Sequence, residues 1–410
     1  MPLYADDYEW VIQNPASKLS YYFTHANPHM RFYRPIQMST SAIFQAFFGW
    51  QDTFPNHVFQ LTMHVMLSFL IYIWMRKIRW SRLQGLLASL FMLIAQTNVL
   101  TVARNDTSSE ITSTLFGCAA LWLYYSYLHQ DTPVQRGSVG LYAASIVFYG
   151  LSLFSKESGV SFLLALALLL VTVRCKDRLD TGKILGLIRS ILPYAVVTCL
   201  YLLLRSQVVT YPSAFGNETY NFNIGTNIIV NLGQFTIFGL VPLSTARYFV
   251  AIKQHDEVTL GLAIFGYLIF FSAISYGLLL SGKPRPIIAP FLLVSIAIFP
   301  VVLLNHINEQ YFYKAMPFIC ALVGIGLGEL LARRLRMPVL RITVSIVLII
   351  LAARHVLATI EKVGLMRDNG ERAQQLLIEV LSFVPHVPHN GRLLLLDSVP
   401  NMIEYSMYYM

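Results

Sequence analysis

Charge is what this sequence has least of. Only 12% of its 410 residues are Asp, Glu, Lys or Arg, against 56% hydrophobic residues and a mean hydropathy of +0.57. A soluble domain carries roughly a quarter charged residues, so that class is excluded. Acids are the scarcer sign, 21 against 30 Lys and Arg, which leaves a net charge of +9. A nucleic-acid partner is excluded all the same, because the basic residues cluster between apolar runs instead of along one face. Cysteine is also sparse. Cys118, Cys175, Cys199 and Cys320 are at no metal or redox spacing, and three lie in apolar runs, which makes them small buried hydrophobes. No cleavable signal pattern opens the chain.

What the chain does have is membrane-length apolar sequence, at about 20 residues per crossing. Spans are expected at His57–Met75, Leu83–Val102 and Ile111–Leu128. The run Val139–Val173 is too long for one span and reads as a helical hairpin with Ser155–Lys156–Glu157 at its tip. Further spans are expected at Ile191–Leu204, Val258–Leu280, Ile287–Leu304, Ala315–Leu331 and Ile342–Ile360. Thr226–Leu243 is apolar but interrupted by Asn231, Gln234 and Pro242, and reads as a re-entrant or interfacial helix. The expected fold is an all-α polytopic membrane protein with about ten spanning helices. It divides into an outer loop with interfacial helices (1–56), a multi-spanning domain (57–360) and an outer tail (361–410). The tail carries a helical pattern through Glu361–Val384 and an apolar, strand-like run Leu393–Leu396, as a short α/β domain would.

The basic clusters orient these spans. With Arg76–Arg82, Arg136, Arg174–Arg189, Lys283–Arg285 and Arg333–Arg341 all cytoplasmic, the crossings alternate without contradiction. Nearly every acid then falls outside, and so do the charges that could do chemistry. Asp6, Asp7, Arg31, Arg34, Arg104, Asp106, Lys156, Glu157 and Glu309 all lie at outer ends of spans. Singly, Lys156–Glu157 reads equally well as a hairpin-tip ion pair, and Arg104–Asp106 as a helix-end pair. Together they put carboxylates suited to proton abstraction beside cations suited to a phosphate at the lipid–water boundary.

Those residues also carry a resemblance. Asp6–Asp7–Tyr8 with Asn14, Phe32–Tyr33–Arg34–Pro35, and Asn56–His57 with His64 open the pattern. It continues with Arg104–Asn105–Asp106, Leu151–Glu157 with Val160, and Glu309–Gln310–Tyr311–Phe312–Tyr313 with Pro317. In order and spacing this set resembles the GT-C class of integral-membrane glycosyltransferases that use lipid-phosphate sugar donors. The likeness is to the branch of transmembrane-and-tetratricopeptide-repeat O-mannosyltransferases and their bacterial relatives. Three features depart from that branch. Its spanning helix before the Asp pair has no counterpart here, Gln96–Thr97–Asn98 replaces a His-Pro-x-His segment, and Gln310 stands where Arg is usual. No tetratricopeptide repeats follow.

The resemblance implies an inverting transfer of a mannose-like sugar from a polyprenyl- or dolichyl-phosphate donor to a hydroxyl of a protein or glycan acceptor. Asp6 or Asp7 would be the base. Arg34, Arg104 and Lys156 would hold the carrier phosphate, with Arg31 beside them. Glu157, Glu309 and Tyr311 would shape the pocket, with Asp106 next to Arg104. Membrane lipids are the surroundings, in a bacterial inner membrane or an endoplasmic reticulum. No cofactor is indicated, with a divalent metal left open. His57 and His64, seven apart on one helix face, lack further ligands and suit helix packing better than zinc. The competing class is a transporter or flippase of a lipid-linked saccharide. Against it, no two halves of the chain look like repeats, and midspan charges are nearly absent.

Overall fold

A computed structural model describes residues 19–25, 32–49, 53–130, 136–174, 181–208, 223–304, 308–332 and 338–383. Among them there are helices and turns and no strand. A short turn of helix, α1 (Tyr21–Thr24), precedes α2 (Pro35–Phe48), α3 (Phe54–Lys77), α4 (Arg82–Ile94) and α5 (Asn98–Ala103). Then come α6 (Ser108–Leu128), α7 (Arg136–Ser155), α8 (Ser161–Arg174), α9 (Thr181–Val208) and α10 (Thr226–Leu240). The last five are α11 (Thr245–Lys253), α12 (Glu257–Ser281), α13 (Pro284–Val302), α14 (Met316–Ala332) and α15 (Pro338–Phe383). Two 3₁₀ turns, Glu157–Val160 and Glu309–Phe312, join α7 to α8 and precede α14.

Among the described residues, five helices are long and apolar enough to cross a bilayer: Phe54–Lys77, Gly137–Ser155, Glu157–Arg174, Ile184–Val208 and Glu257–Ser281. Their apolar side chains face outward as well as inward. Leu192, Val196, Leu200 and Leu203 make an exposed stripe on α9, and Leu262, Phe265 and Leu268 do so on α12. Water would penalise such stripes, while hydrocarbon accepts them.

Helices α6 and α14 form the buried centre. Three glycines let α14 in. A Cβ at Gly324 or Gly328 would overlap Gln84 of α4, and one at Gly326 would overlap Ile274 of α12. Small residues at this spacing bring helix backbones close where no hydrophobic effect drives association. Hydroxyls join α6, α7 and α9: Ser113 Oγ lies 3.2 Å from Ser152 Oγ, and Tyr149 Oη 2.6 Å from Thr198 Oγ1.

Two elements differ from the expected spans. Leu83–Val102 is not one helix, because α4 stops at Ile94 and α5 restarts at Asn98. The side chains of Gln96 and Thr97 both donate to the Phe238 carbonyl, and Asn98 Nδ2 donates to the Met92 carbonyl at 2.7 Å. Polar side chains thus hold the break against its neighbours. At the other end, α15 runs unbroken past position 361, with Leu351, His355, Ala358, Lys362 and Met366 as one buried stripe. The spacing of four, three, four and four is a docking face that carries a lysine. The strand-like run 393–396 lies outside the described residues.

Candidate functional site

The polar side chains of the site sit where helices break. Pro35 at the first helical position sets the start of α2, and Arg34 is its N-cap residue. Tyr33, just before it, is buried between the rings of Phe154 and Tyr201, at centroid distances of 6.2 Å and 5.7 Å. That clamp fixes where Arg34 begins. Lys156 ends α7 in an extended conformation, and the turn after it needs Gly159, whose Cβ would lie 2.8 Å from the Ser152 carbonyl oxygen. Arg104 and Asp106 flank the short turn between α5 and α6.

Arg34 forks onto Glu157, Nε to Oε2 at 2.8 Å and Nη2 to Oε1 at 2.6 Å, with its guanidinium 4.1 Å from the centre of the Phe32 ring. Burial works against the Arg34 charge, but Glu157 outweighs it and holds the guanidinium above its ordinary range. Arg104 makes the same fork onto Asp106, at 2.9 Å and 2.8 Å. Gln37, one turn along α2 from Arg34, donates to the Asp106 carbonyl at 2.5 Å and so ties the two forks together. Lys156 pairs with Glu110 of α6 at 2.5 Å and lies 5.6 Å from the centre of the Tyr311 ring.

Of the expected residues, Arg34, Arg104, Asp106, Lys156, Glu157 and Tyr311 are therefore brought together, but each of these cations already has a carboxylate. Beside them lies Lys314, which is buried, donates to Ser158 Oγ and has no ion-pair partner among the described residues. Burial pushes its ammonium down to about 8, with Glu110 pulling it up and Lys156 pushing it down. Among the described residues, Arg34, Lys156 and Lys314 thus stand against Glu157 and Glu110, three cations to two anions. The remaining oxygen of Glu110, Oε2, is buried without a hydrogen-bond partner among the described residues. The cluster reaches the surface through Glu157 and Ser158, both half-buried.

Glu309 does not join that cluster. It is buried against Lys362 of α15 and accepts a 2.9 Å hydrogen bond from Thr245 Oγ1. Burial raises its carboxyl above the ordinary range, and Lys362 offsets this only in part. Tyr311, two residues on, faces Lys156. His64 Nδ1 lies 2.7 Å from the Tyr313 hydroxyl, a contact between helix packing partners. No three His, Cys, Asp or Glu side chains among the described residues could jointly hold a metal.

Beside the Arg104–Asp106 fork runs a narrow cleft between α2, α3 and the turn before α6. The amides of Gln45, Asn56 and Gln60, the hydroxyls of Thr40 and Ser41 and the Phe59 ring line it, with no charged side chain among the described residues. Asp6, Asp7 and Arg31 lie outside the described residues.

Sequence reasoning passed over Glu110, Lys314, Thr245 and Lys362. A signal existed for two of them. Glu110 follows Asp106 by four positions, one helical turn, and Lys362 occupies an apolar stripe position.

Among the described residues, the fold and site together define a helical protein with five helices long and apolar enough to cross a membrane, as an integral membrane protein requires, and a buried ionic cluster at helix ends. No protein-family model matches the chain, and no curated protein or solved structure matches it either.

Proposed function

We propose that the chain is an inverting GT-C-type glycosyltransferase. It moves a mannose-like sugar from a polyprenyl- or dolichyl-phosphate donor to an acceptor hydroxyl on the non-cytoplasmic side of a membrane. In this reading, α4 with α5, α6, α13, α14 and the first half of α15 cross alongside the five long helices, ten crossings in all, and α10 is re-entrant or interfacial.

The observation that carries the proposal is the surplus cation. The donor is a phosphodiester with one negative charge. When the acceptor oxygen bonds to the anomeric carbon, the carbon–phosphate oxygen bond breaks, and the lipid phosphate departs as a monoester with a second charge. The acceptor proton passes to Asp6 or Asp7. Lys314, with Arg34 and Lys156, supplies positive potential where that second charge develops, in a site with little water to screen it. Glu157 and Glu110 pair with Arg34 and Lys156 and leave Lys314 unmatched among the described residues.

The test is transfer from a radiolabelled lipid-phosphate sugar to acceptor in detergent or nanodiscs. The proposal expects product from the wild-type chain, and a loss of about 10²–10⁴-fold in Asp6→Asn or Asp7→Asn, because Asn keeps the size and removes the base. Labelled donor that crosses a vesicle membrane without forming product would instead favour the flippase.

A further inference from the structure

The stretch 308–314 is short, yet its side chains go to five different parts of the molecule. Glu309 goes to α11 and α15, Tyr311 to Lys156, Phe312 to Phe235 of α10, Tyr313 to His64 of α3, and Lys314 to Ser158. Its first four-residue turn is a 3₁₀ helix, with three residues per turn. Glu309 and Phe312 therefore share a face, and Tyr311 lies a third of a turn away. Whatever holds the first face sets the rotation of the second.

Two contacts hold the first face. Phe312 stacks on Phe235, with centroids 5.1 Å apart and planes 11° from parallel, over Gly239, where any Cβ would strike the ring. That contact is apolar and tolerates sliding. The other is directional: Lys362 donates to Glu309 and, at 2.9 Å, to Thr245, which itself donates to Glu309. The three groups close a triangle among α11, α15 and the turn. Lys362 is fully buried on the docking stripe of α15, where an apolar residue would fit and a charge is costly.

We propose that Lys362 is a positioning residue for the cation cluster. By gripping Glu309 it fixes the rotation of the 309–312 turn that sets the Tyr311 ring over Lys156. Glu309 is then an anchor and not a ligand of the sugar, and α15 acts on the site through it. The effect on transfer rests on the glycosyltransferase reading; the geometry does not.

The experiment uses the full chain in nanodiscs with 3-fluorotyrosine introduced at position 311, read by ¹⁹F NMR. Lys156→Met removes the cation under the ring and shifts the resonance. Lys362→Met is expected to shift or broaden it too, whereas Lys362→Arg keeps it at the wild-type position. Should Lys362→Met fail to fold, the double variant Glu309→Gln, Lys362→Met removes both charges and takes its place. Arg247→Ala, which breaks an exposed contact to Glu361 on the same helix, leaves the resonance alone. In transfer assays, Lys362→Met raises the donor KM about tenfold with the acceptor KM unchanged, and Lys362→Arg restores it to within about threefold. An unmoved resonance in both charge-removing Lys362 variants, or in Lys156→Met, overturns the proposal. Failure of the wild-type chain to transfer sugar would sink the glycosyltransferase reading, and the resonance would still decide the positioning role.

Discussion

Two buried ionic networks meet on the segment 308–314, and they are built on opposite plans. Around Glu309 one carboxylate meets one lysine and one hydroxyl, closed from solvent on all sides. Around Lys314, among the described residues, three cations face two carboxylates, and half-buried Glu157 and Ser158 open the cluster outward. The pair is balanced in charge and closed, although Glu309 Oε1 has no hydrogen-bond partner among the described residues, and it serves as an anchor. An unbalanced cluster with an open side keeps potential in reserve for an anion. Burial alone therefore does not mark a site in this chain. In the proposed reading the charge count and the opening do.

The comparison can be broken first at the anchor. Glu309→Gln leaves Lys362 buried without its counter-ion, which should lower stability by about 3–5 kcal/mol, and the double variant Glu309→Gln, Lys362→Met should recover most of it. Thermal unfolding in detergent checks both. If the single variant is as stable as wild type, the triangle is not an anchor.

The cluster gives the second, smaller effect. With the Lys314 ammonium near 8, its charge is present at pH 7 and nearly gone at pH 9, so the donor KM should rise about tenfold across that interval. The sign follows from burial. The folded chain disfavours the charged form, so the cost of holding it is present below pH 8 and fades as pH rises, while donor binding weakens over the same range. Lys314→Arg, which stays charged, should flatten the profile. A wild-type donor KM that is constant from pH 7 to pH 9 would count against Lys314 as the responsive group.

The smallest effect belongs to the surface. Arg247 and Glu361 approach only to 3.7 Å, with Arg247 exposed and Glu361 half-buried, so Arg247→Ala should cost no more than about 0.2–1 kcal/mol. A loss comparable to that of Glu309→Gln would erase the distinction between the two kinds of pair.

Much of the helical skeleton was legible. Val258–Leu280 against the observed Glu257–Ser281, and a break at Lys156 within Val139–Val173, follow from apolar run length and from charge placed where a helix must end. The break inside Leu83–Val102 was not, because the carbonyl that captures Gln96 and Thr97 belongs to Phe238, some 140 positions away. The site divides the same way. Arg34, Glu157, Arg104, Asp106 and Lys156 stand out as charges at span ends. Their pairing was hidden, since Arg34 and Glu157 are 123 positions apart. Lys314 lies within the very stretch that carries the Glu309–Pro317 resemblance, but only the fold brings it under Ser158 and beside Glu110. Glu309 and Tyr311 look like neighbours in one pocket until the 3₁₀ turn sends them to different faces.

The most direct test of the surplus-cation account is Lys314→Met, measured for donor kcat/KM and for thermal stability in the same preparation. Removing the unmatched charge should leave the unfolding temperature unchanged or raise it, because no buried carboxylate loses its partner. It should also cut donor kcat/KM by about ten- to a hundredfold, the worth of one charge-assisted contact to phosphate. Transfer within threefold of wild type, in a variant that remains folded, would contradict the account.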